Sequence, residues 1–331
     1  MITQDILNKI RADLRDIVGT DTEKKWSDEE VINDYANDAQ DKLSEKCFLL
    51  EDYDTVGENL ATGKVTLTAG TVGQIDSVTV NGITITSGAV PFDTTLTKTA
   101  TNLAANIIAY ASIPNYTATS IGQVVTIAAV AGTGSNPNGF VVIVTTSGGL
   151  TATDIDMAGG YALTKIYLLA NKASYDLHPK TLTVIRAKLA GLTSTLAIMT
   201  RKELDIEIGG NWENLTGTPE IIAPNVKMKK VVFVPSPTAA VTCTLGVQRY
   251  PLIPMSIAQL NGSPEVAEEY HKYLFNWIYH RCFMKTDAET LDTAMAGLFL
   301  QKFLDDVETI KINEIRRDNY QRVCGPLNAF T

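Results

Sequence analysis

The distribution of charge along the chain is the feature that most restricts its possible folds. Of the 28 Lys and Arg and 37 Asp and Glu residues, only six lie between positions 61 and 160. These six are Lys64, Asp76, Asp93, Lys98, Asp154 and Asp156. A nearly uncharged stretch between two charged flanks, with glycines at Gly63 and at Gly159 and Gly160, predicts a separate folding unit inserted into a discontinuous host domain.

The first host segment, residues 1–60, has the pattern of two packed helices. Apolar residues recur at helical spacing from Ile6 to Val18, with Thr3 as the predicted N-cap and Gly19 as the predicted end.

The second helix of this segment has a stronger start signal. Ser27 and Glu30 match a capping box, and Trp26 and Val31 stand at the positions of a hydrophobic staple. The sequence therefore predicts both the start of this helix and a hydrophobic contact between Trp26 and Val31 at that start.

The uncharged segment predicts an inserted, β-rich α+β domain with the order ββ-α-βββ. Asn81 and Gly82 tolerate left-handed backbone and suit a two-residue hairpin turn, while Leu96–Tyr110 has one apolar face and is stopped by Pro114, as a helix would be. The predicted strands are Val65–Thr68, Ile75–Thr86, Tyr116–Thr119, Gln123–Ala129 and Phe140–Thr146.

The second host segment, residues 161–310, predicts a small antiparallel sheet followed by long helices. Ala162–Ala173 is expected to be a short helix. The strands expected after it are Thr181–Arg186, Thr195–Met199, Val231–Val234 and Val241–Arg249. The overall fold class is therefore α+β, with a discontinuous helical host.

Two helix starts are predicted near the end of the chain. The first is Ser263-Pro264-Glu265, and the second is a capping box of Thr286 and Glu289. The last helix is expected to continue past Ile310 toward Tyr320. Residues 311–331 then form a C-terminal extension, whose tail LNAFT should be extended unless a partner holds it.

Charge and composition exclude several classes of function. A net charge of -9 and a pI near 4.9 oppose a tight grip on nucleic acid or on an anionic membrane surface. No apolar run approaches the roughly 18 residues that span a bilayer. The four scattered cysteines are expected to be reduced thiols, as in a protein made in the cytoplasm.

No catalytic constellation is recognisable, so we expect no enzyme activity, no metal and no cofactor. His271 and His280 point to different faces of one predicted helix, and His178 has no partner in sequence. The glycine cluster Gly132–Gly139 lacks the lysine of a phosphate loop and is interpreted as a hairpin loop.

Two features allow alternative interpretations. The pairs Asp52/Asp54 and Asp154/Asp156 are interpreted as solvated linkers, with oxygen ligands for a divalent cation as the alternative. Trp212, between glycine pairs, is interpreted as core, with a partner anchor as the alternative.

A cluster of charge changes sign along the last predicted helix. An acidic turn at Asp305, Asp306 and Glu308 is followed by basic residues and then by an apolar tail, which is typical of a docking segment, although a solvated face is the simpler interpretation. The candidate docking residues are Arg316, Arg317, Arg322, Leu327 and Phe330.

The host segments resemble the head-to-tail adaptor, or connector, proteins of tailed bacteriophages. The resemblance lies in the order of RKELDIEIGGNWENLTGTPE, VVFVPSPTAAVTCTLGVQRYPLIP and PEVAEEYHKYLFNWIYHRCFMKTDAETLDTAMAGLFLQKFLDDV, and it covers most of residues 1–60 and 161–310. The insert departs from the minimal family member and looks like a small decorating module. The matching positions are structural: Leu204, Asp205, Trp212, Gly217, Pro219, Pro235, Pro237, Arg249, His271, Leu274, Trp277, Asp287 and Phe303.

The resemblance implies a structural virion protein, usually twelve copies in a ring beneath the portal protein, located in the neck or tail and assembled in the host bacterial cytoplasm. Expected partners are the portal, tail nozzle or tail-fibre proteins and copies of itself. Genomic DNA would pass through without specific binding, and no membrane is involved. An acidic lumen is suited to a sliding polyanion.

Two other functions remain as alternatives. The first is a carbohydrate-binding or adhesion protein acting through the β-rich module, although that module contains few aromatic residues. The second is an enzyme acting on cell-wall polymer, for which the sequence offers no obvious carboxylate pair.

Overall fold

The computed structural model describes residues 1–15, 25–286 and 290–323, with side chains up to Arg317 in the last range. The chain up to Glu51 and from Gln248 onward forms one compact unit, and Asp52–Val247 forms a second.

The described residues form six α-helices and several small sheets, which confirms the predicted α+β class. The helices are α1 (Thr3–Leu14), α2 (Asn37–Cys47), α3 (Leu96–Ala109), α4 (Arg201–Glu207), α5 (His271–Phe283) and α6 (Thr293–Val323). A π-helical segment, Glu30–Ala36, leads directly into α2.

The strands of the described residues are mostly short. They are β1 (Glu51–Asp52), β2 (Thr62–Ala69), β3 (Gln74–Val80), β4 (Ile83–Thr84), β5 (Val90–Pro91), β6 (Thr117–Ile121), β7 (Val124–Ala128), β8 (Val142–Ser147), β9 (Thr151–Ala158), β10 (Lys165–Leu168), β11 (Ser174–Asp176), β12 (Thr181–Leu189), β13 (Ala197–Ile198), β14 (Thr216–Gly217), β15 (Ile221–Pro224), β16 (Lys230–Val234), β17 (Ser236–Pro237) and β18 (Val241–Arg249).

The first unit is a helical bundle around one hydrophobic core, to which all its helices contribute. Its second helix begins as predicted: the backbone amide of Glu30 donates to Ser27 Oγ at 3.1 Å, and Trp26 and Val31 are buried in the same core. Thr3 is the first residue of α1 and Ile2 is its N-cap, one position before the prediction. The predicted helix end at Gly19 lies outside the described residues.

The helix predicted to start at Ser263-Pro264-Glu265 begins later, at His271. Tertiary contacts hold the predicted start in a non-helical conformation, because the backbone amide of Glu265 donates to Gln40 Oε1 at 2.6 Å. The Glu265 carboxylate also pairs with Arg249 at 2.6 Å. These contacts give residue 265 partners that a first helical turn would not provide.

The long last helix is confirmed, since α6 continues past Ile310 to Val323. Its N-terminus is capped by Asp292, whose Oδ1 accepts from the amides of Ala294 and Met295 at 3.0 Å each. Glu289 of the predicted capping box lies outside the described residues, and so does the tail from Cys324 onward.

Residues 62–158 of the second unit form two four-stranded sheets. One has the strand order β6-β7-β2-β9, and in the other β3 pairs with β4, β5 and β8. The predicted hairpin turn is present, with φ of 50° at Asn81 and 79° at Gly82. Strands β5 and β9 were not predicted.

Residues 161–247 contribute strands to three more sheets, and one prediction here is wrong. Ala162–Ala173 contains the strand β10 instead of a helix, and β10 pairs antiparallel with β18 from Lys165↔Thr244 to Leu168↔Val241. Ile166 and Leu168 are buried while Lys165 and Tyr167 are only partly so. This period of two matches a strand with one buried face. In a second sheet β15 pairs with β16 and β13, and in the third β14 pairs with β17.

The predicted boundaries of the inserted domain, 61 and 160, stay a prediction. One hydrophobic core is formed entirely by residues from Ala61 to Met157. The glycines at its edges are close-packing positions: a Cβ at Gly63 would lie 2.7 Å from Val142 Cγ2, and one at Gly160 would lie 2.3 Å from the Gly134 carbonyl oxygen.

Candidate functional site

The histidines make structural contacts. His271 is buried and its Nε2 contacts the carbonyl of Val266 at 2.8 Å, while His280 Nδ1 contacts the carbonyl of Ala296 at 2.9 Å. His178 Nδ1 accepts from the amide of Lys180 at 3.0 Å. Within the described ranges, no three His, Cys, Asp or Glu side chains come close enough to hold a metal ion.

The glycine-rich loop binds an anion from its own chain. The Glu58 carboxylate accepts from the amide of Gly132 at 2.9 and 2.8 Å and from that of Gly134 at 2.8 Å. Backbone amides that converge on one carboxylate in this way form a concave anion site. Because Glu58 fills it, the site is closed to a phosphate in this conformation.

Asp154 and Asp156 are not in a linker. They lie in β9, where Asp156 accepts from the amide of Val142 at 3.0 Å and Asp154 from the amide of Val144 at 3.1 Å. Both carboxylates thus satisfy backbone donors of β8. No local sequence pattern indicated these contacts, because the donors are ten or more residues away along the chain.

The outer face of the sheet β6-β7-β2-β9 is nearly uncharged. Strand registers align Thr119, Thr126, Lys64 and Ile155 in one row across the four strands, and Lys64 is the only charged residue in this row and the two rows beside it. Those rows contain Thr117, Ala128, Thr62, Ala158, Ile121, Val124, Thr66 and Thr153. Alternation of threonine with buried apolar residues was the sequence signal for this face.

Aromatic residues do not lie on that face as a binding platform. Tyr116 is buried in the core of residues 61–157, and Phe92 and Phe140 pack against the same core. Stacking of sugars on exposed rings is therefore not supported by the arrangement of these three side chains.

Helix α6 carries apolar side chains on two sides. Ala296, Phe303, Val307 and Ile310 are buried in the helical core, whereas a second set is exposed by between 42% and 60%. The second set consists of Leu298, Leu304, Ile312 and Ile315. At 100° per residue these four lie within an arc of about 120°, which they share with the exposed side chains of Gln301, Asp305 and Glu308. We call them the outer stripe of α6.

The predicted docking residues are only partly within the described region. Arg316 and Arg317 are exposed. Arg317 pairs with Glu269 at 2.8 Å and with Glu314 at 3.5 Å. No ion pair of Arg316 occurs in the part of the chain whose side chains are described. The side chain of Arg322, together with Leu327 and Phe330, lies outside it.

Trp212 is a core residue, as the first interpretation predicted. It is buried with Leu204, Ala223 and Val234, and its indole Nε1 donates to Asp205 Oδ1 at 2.7 Å. Sequence reasoning missed the helix α4 that positions Asp205. Its signal was the capping box of Thr200 and Glu203, which the structure contains.

None of the helices that the structure describes is both long and apolar enough to cross a membrane. No curated protein matches the chain. The family model described as SU10 adaptor protein matches residues 123–328. This match starts inside the predicted insert and does not include residues 1–60, so it differs in extent from the resemblance found in the sequence. Because it covers more than half of the chain, the protein belongs to the SU10 adaptor protein family, a family of phage structural adaptors.

Proposed function

We propose that this phage adaptor is a head-to-tail connector that assembles as a ring, of twelve copies as is usual for connectors, beneath the portal. The genome passes through the ring, and tail nozzle or tail-fibre proteins attach to it. The observation that carries the proposal is the outer stripe of α6, because four apolar side chains left exposed on one copy are suited to contact with another.

The energetics favour burial of this stripe in an assembly. Full burial of one Leu or Ile side chain contributes about 1.5–3 kcal/mol. Leu298, Leu304, Ile312 and Ile315 are already half-covered, so each contributes less than that. Association also costs translational and rotational freedom, which a closed ring repays through two contacts per copy.

The acidic balance supports passage of DNA without binding. Each copy carries a formal charge of -9 at pH 7, so a ring of copies repels a polyanion and does not retain it. The role is structural and not enzymatic, and it needs no cofactor. Assembly in the host cytoplasm and incorporation into the virion neck complete the proposal.

Portal docking is assigned to the C-terminal end of the chain. Arg316 is exposed, while Arg317 is already paired with two carboxylates, so Arg316 is the better of the two for contact with an acidic partner surface. Arg322, Leu327 and Phe330 follow in sequence and extend the same segment. No observation favours the adhesion alternative over the connector.

The test of the ring is a mass measurement of the purified full chain, alone and with portal, by native mass spectrometry. We expect a closed oligomer for the wild type and a loss of that oligomer in Ile315→Glu. Ile206→Glu is the matched control, because Ile206 is exposed by 72% on α4 and outside the outer stripe. A wild type that stays monomeric with portal, or an Ile315→Glu variant that assembles normally, would contradict the proposal.

The test of docking uses the same assay with portal. Arg316→Glu should weaken portal binding and leave the oligomer formed without portal unchanged. Arg201→Glu, an exposed arginine on α4, is the control for the change of charge. If Arg316→Glu and Arg201→Glu bind the portal equally well, Arg316 has no role in docking.

A further inference from the structure

A projecting methionine and an apolar notch lie at opposite ends of one β-hairpin. Met228 is exposed by 91% in the turn that joins β15 to β16. Beyond the other end of the hairpin is an open notch of about 210 Å³. Residues lining the notch include Leu189, Leu192, Pro219, Pro237 and Val241, and none of its lining residues is charged.

The turn that carries Met228 is held by backbone hydrogen bonds. The amide of Asn225 donates to Lys230 O at 2.7 Å, and the amide of Lys230 donates to Lys227 O at 3.0 Å. The amide of Leu177 donates to Lys229 O at 2.8 Å, which ties the turn to the residue that follows β11. Met228 is therefore presented on a fixed backbone, so binding loses little backbone entropy there.

The hairpin separates the methionine from the notch of its own copy. The register of β15 and β16 runs from Ile221↔Val234 to Pro224↔Val231, which is about 10 Å of paired strand. Pro219 and Pro237 lie before and after this pairing, at the end away from the turn. Met228 can fill such a notch only in another copy.

Charge at the two ends is complementary. Lys227 is exposed beside Met228, and Glu220 is exposed next to Pro219 at the notch. Neither side chain makes an ion pair with any other side chain that the structure describes. A contact that seats Met228 also brings a lysine toward a glutamate, which favours the head-to-tail orientation.

We propose that Met228 of one copy inserts into the notch of the next copy, with Lys227 facing Glu220. A contact between two different ends of the same hairpin is heterologous, so its repetition closes into a ring or grows as a filament. The inference rests on the proposed ring, for which it names one contact between subunits. The outer stripe of α6 would be a second and independent contact.

The test is disulfide trapping in the full chain with Cys324→Ser as the background. Met228→Cys and Thr218→Cys variants are purified separately and mixed, since Thr218 is exposed and lines the notch. The control mixture replaces Met228→Cys by Ile113→Cys, because Ile113 is also almost fully exposed, by 88%. We expect a mixed disulfide dimer in the first mixture at a yield well above that of the control.

A charge exchange tests the orientation. Lys227→Glu and Glu220→Lys should each lower the trapping yield, and the two changes mixed in trans should restore it. Met228→Glu should raise the dissociation constant of self-association by about tenfold or more, as expected for the loss of a central apolar contact. If these residues acted only within one copy, mixing the two variants would not restore the trapping yield.

The outcomes separate this contact from the ring itself. If mass spectrometry shows an oligomer but the yield of trapped disulfide equals that of the control, the Met228 contact is overturned and the connector proposal stays in place. If the cysteine variants are trapped above the control level but the wild type never assembles, the result would support the contact and count against the ring. No trapping and no assembly at the highest soluble concentration would overturn both.

Discussion

Glu58 closes the glycine-rich loop of its own unit by accepting the amide of Gly132 with both carboxylate oxygens, at 2.9 and 2.8 Å. Glu58 lies before the uncharged segment in sequence and Gly132 lies well inside it. The contact therefore ties the start of the β-rich segment to a loop more than seventy residues away.

Removal of this carboxylate should destabilise the second unit. Glu58→Ala leaves the amides of Gly132 and Gly134 without their acceptor, at a cost of about 1–2 kcal/mol for a partly exposed site. Glu58→Gln retains one acceptor oxygen and should lose less. Urea unfolding followed by near-ultraviolet circular dichroism measures the difference, and Glu213→Ala, an exposed glutamate of the same unit, is the control. Equal stability of Glu58→Ala and wild type would contradict the role of Glu58.

The ion pair of Arg249 and Glu265 should contribute to the stability of the helical unit. The two groups are 2.6 Å apart and their side chains are only 10% and 20% exposed. Glu265→Gln leaves a largely buried guanidinium with an uncharged partner and should cost up to about 3 kcal/mol. The control is Glu45→Gln, from a pair with Lys42 that is more exposed, at 33% and 37%, and this change should cost less than about 1 kcal/mol. Thermal unfolding measures the stability of both variants. A similar loss of stability in Glu265→Gln and Glu45→Gln would show that the more buried ion pair contributes no more than the more exposed one.

Stability should fall at mildly acidic pH because of His271. Burial lowers the pKa of this imidazole below its ordinary value of 6.5, so the folded protein favours the neutral ring. The unfolded chain therefore takes up the proton first as the pH falls. This contribution is fully present above about pH 6.5 and declines below it.

A pH series of unfolding free energies tests this assignment. The difference in stability between wild type and His271→Gln should narrow as the pH falls from 7.5 to about 5. His280→Gln, on the same helix, keeps His271 and should keep the pH dependence. A constant difference between wild type and His271→Gln would show that another group is responsible.

Residues 58–160 should fold as an isolated fragment. Their core is built from residues 61–157 alone, and the fragment retains Glu58 together with its loop. We expect a cooperative thermal transition and a strand-rich far-ultraviolet spectrum. The control is the fragment 161–260, which is expected not to fold alone. If the fragment 58–160 shows no cooperative transition, the prediction of an inserted domain loses its basis.

Local signals in the sequence were sufficient for several elements. Asn81-Gly82 fixed a hairpin turn, Ser27 supplied the cap of the second helix, and Trp212 was recognised as core. Each of these depends on residues close in the chain or on burial of a large apolar ring. Such preferences act wherever the neighbouring sequence is the main influence on the backbone.

Distant partners decided the elements that the sequence misassigned. Gln40 and Arg249 hold Glu265 outside the helix that its neighbours predict, and pairing with β18 makes β10 a strand. Asp154 and Asp156 were interpreted as part of a solvated linker, whereas in the structure they accept hydrogen bonds from backbone amides of β8.

The sequence by itself determined the acidic charge, the uncharged segment and the amphipathic helices, because these follow from composition and from the spacing of apolar residues. Only the tertiary structure decided which apolar residues stay exposed, such as Met228 and Ile315. Exposure depends on which faces find partners when distant segments pack. A hydrophobic pattern records that a face is apolar and does not record whether the chain itself covers it.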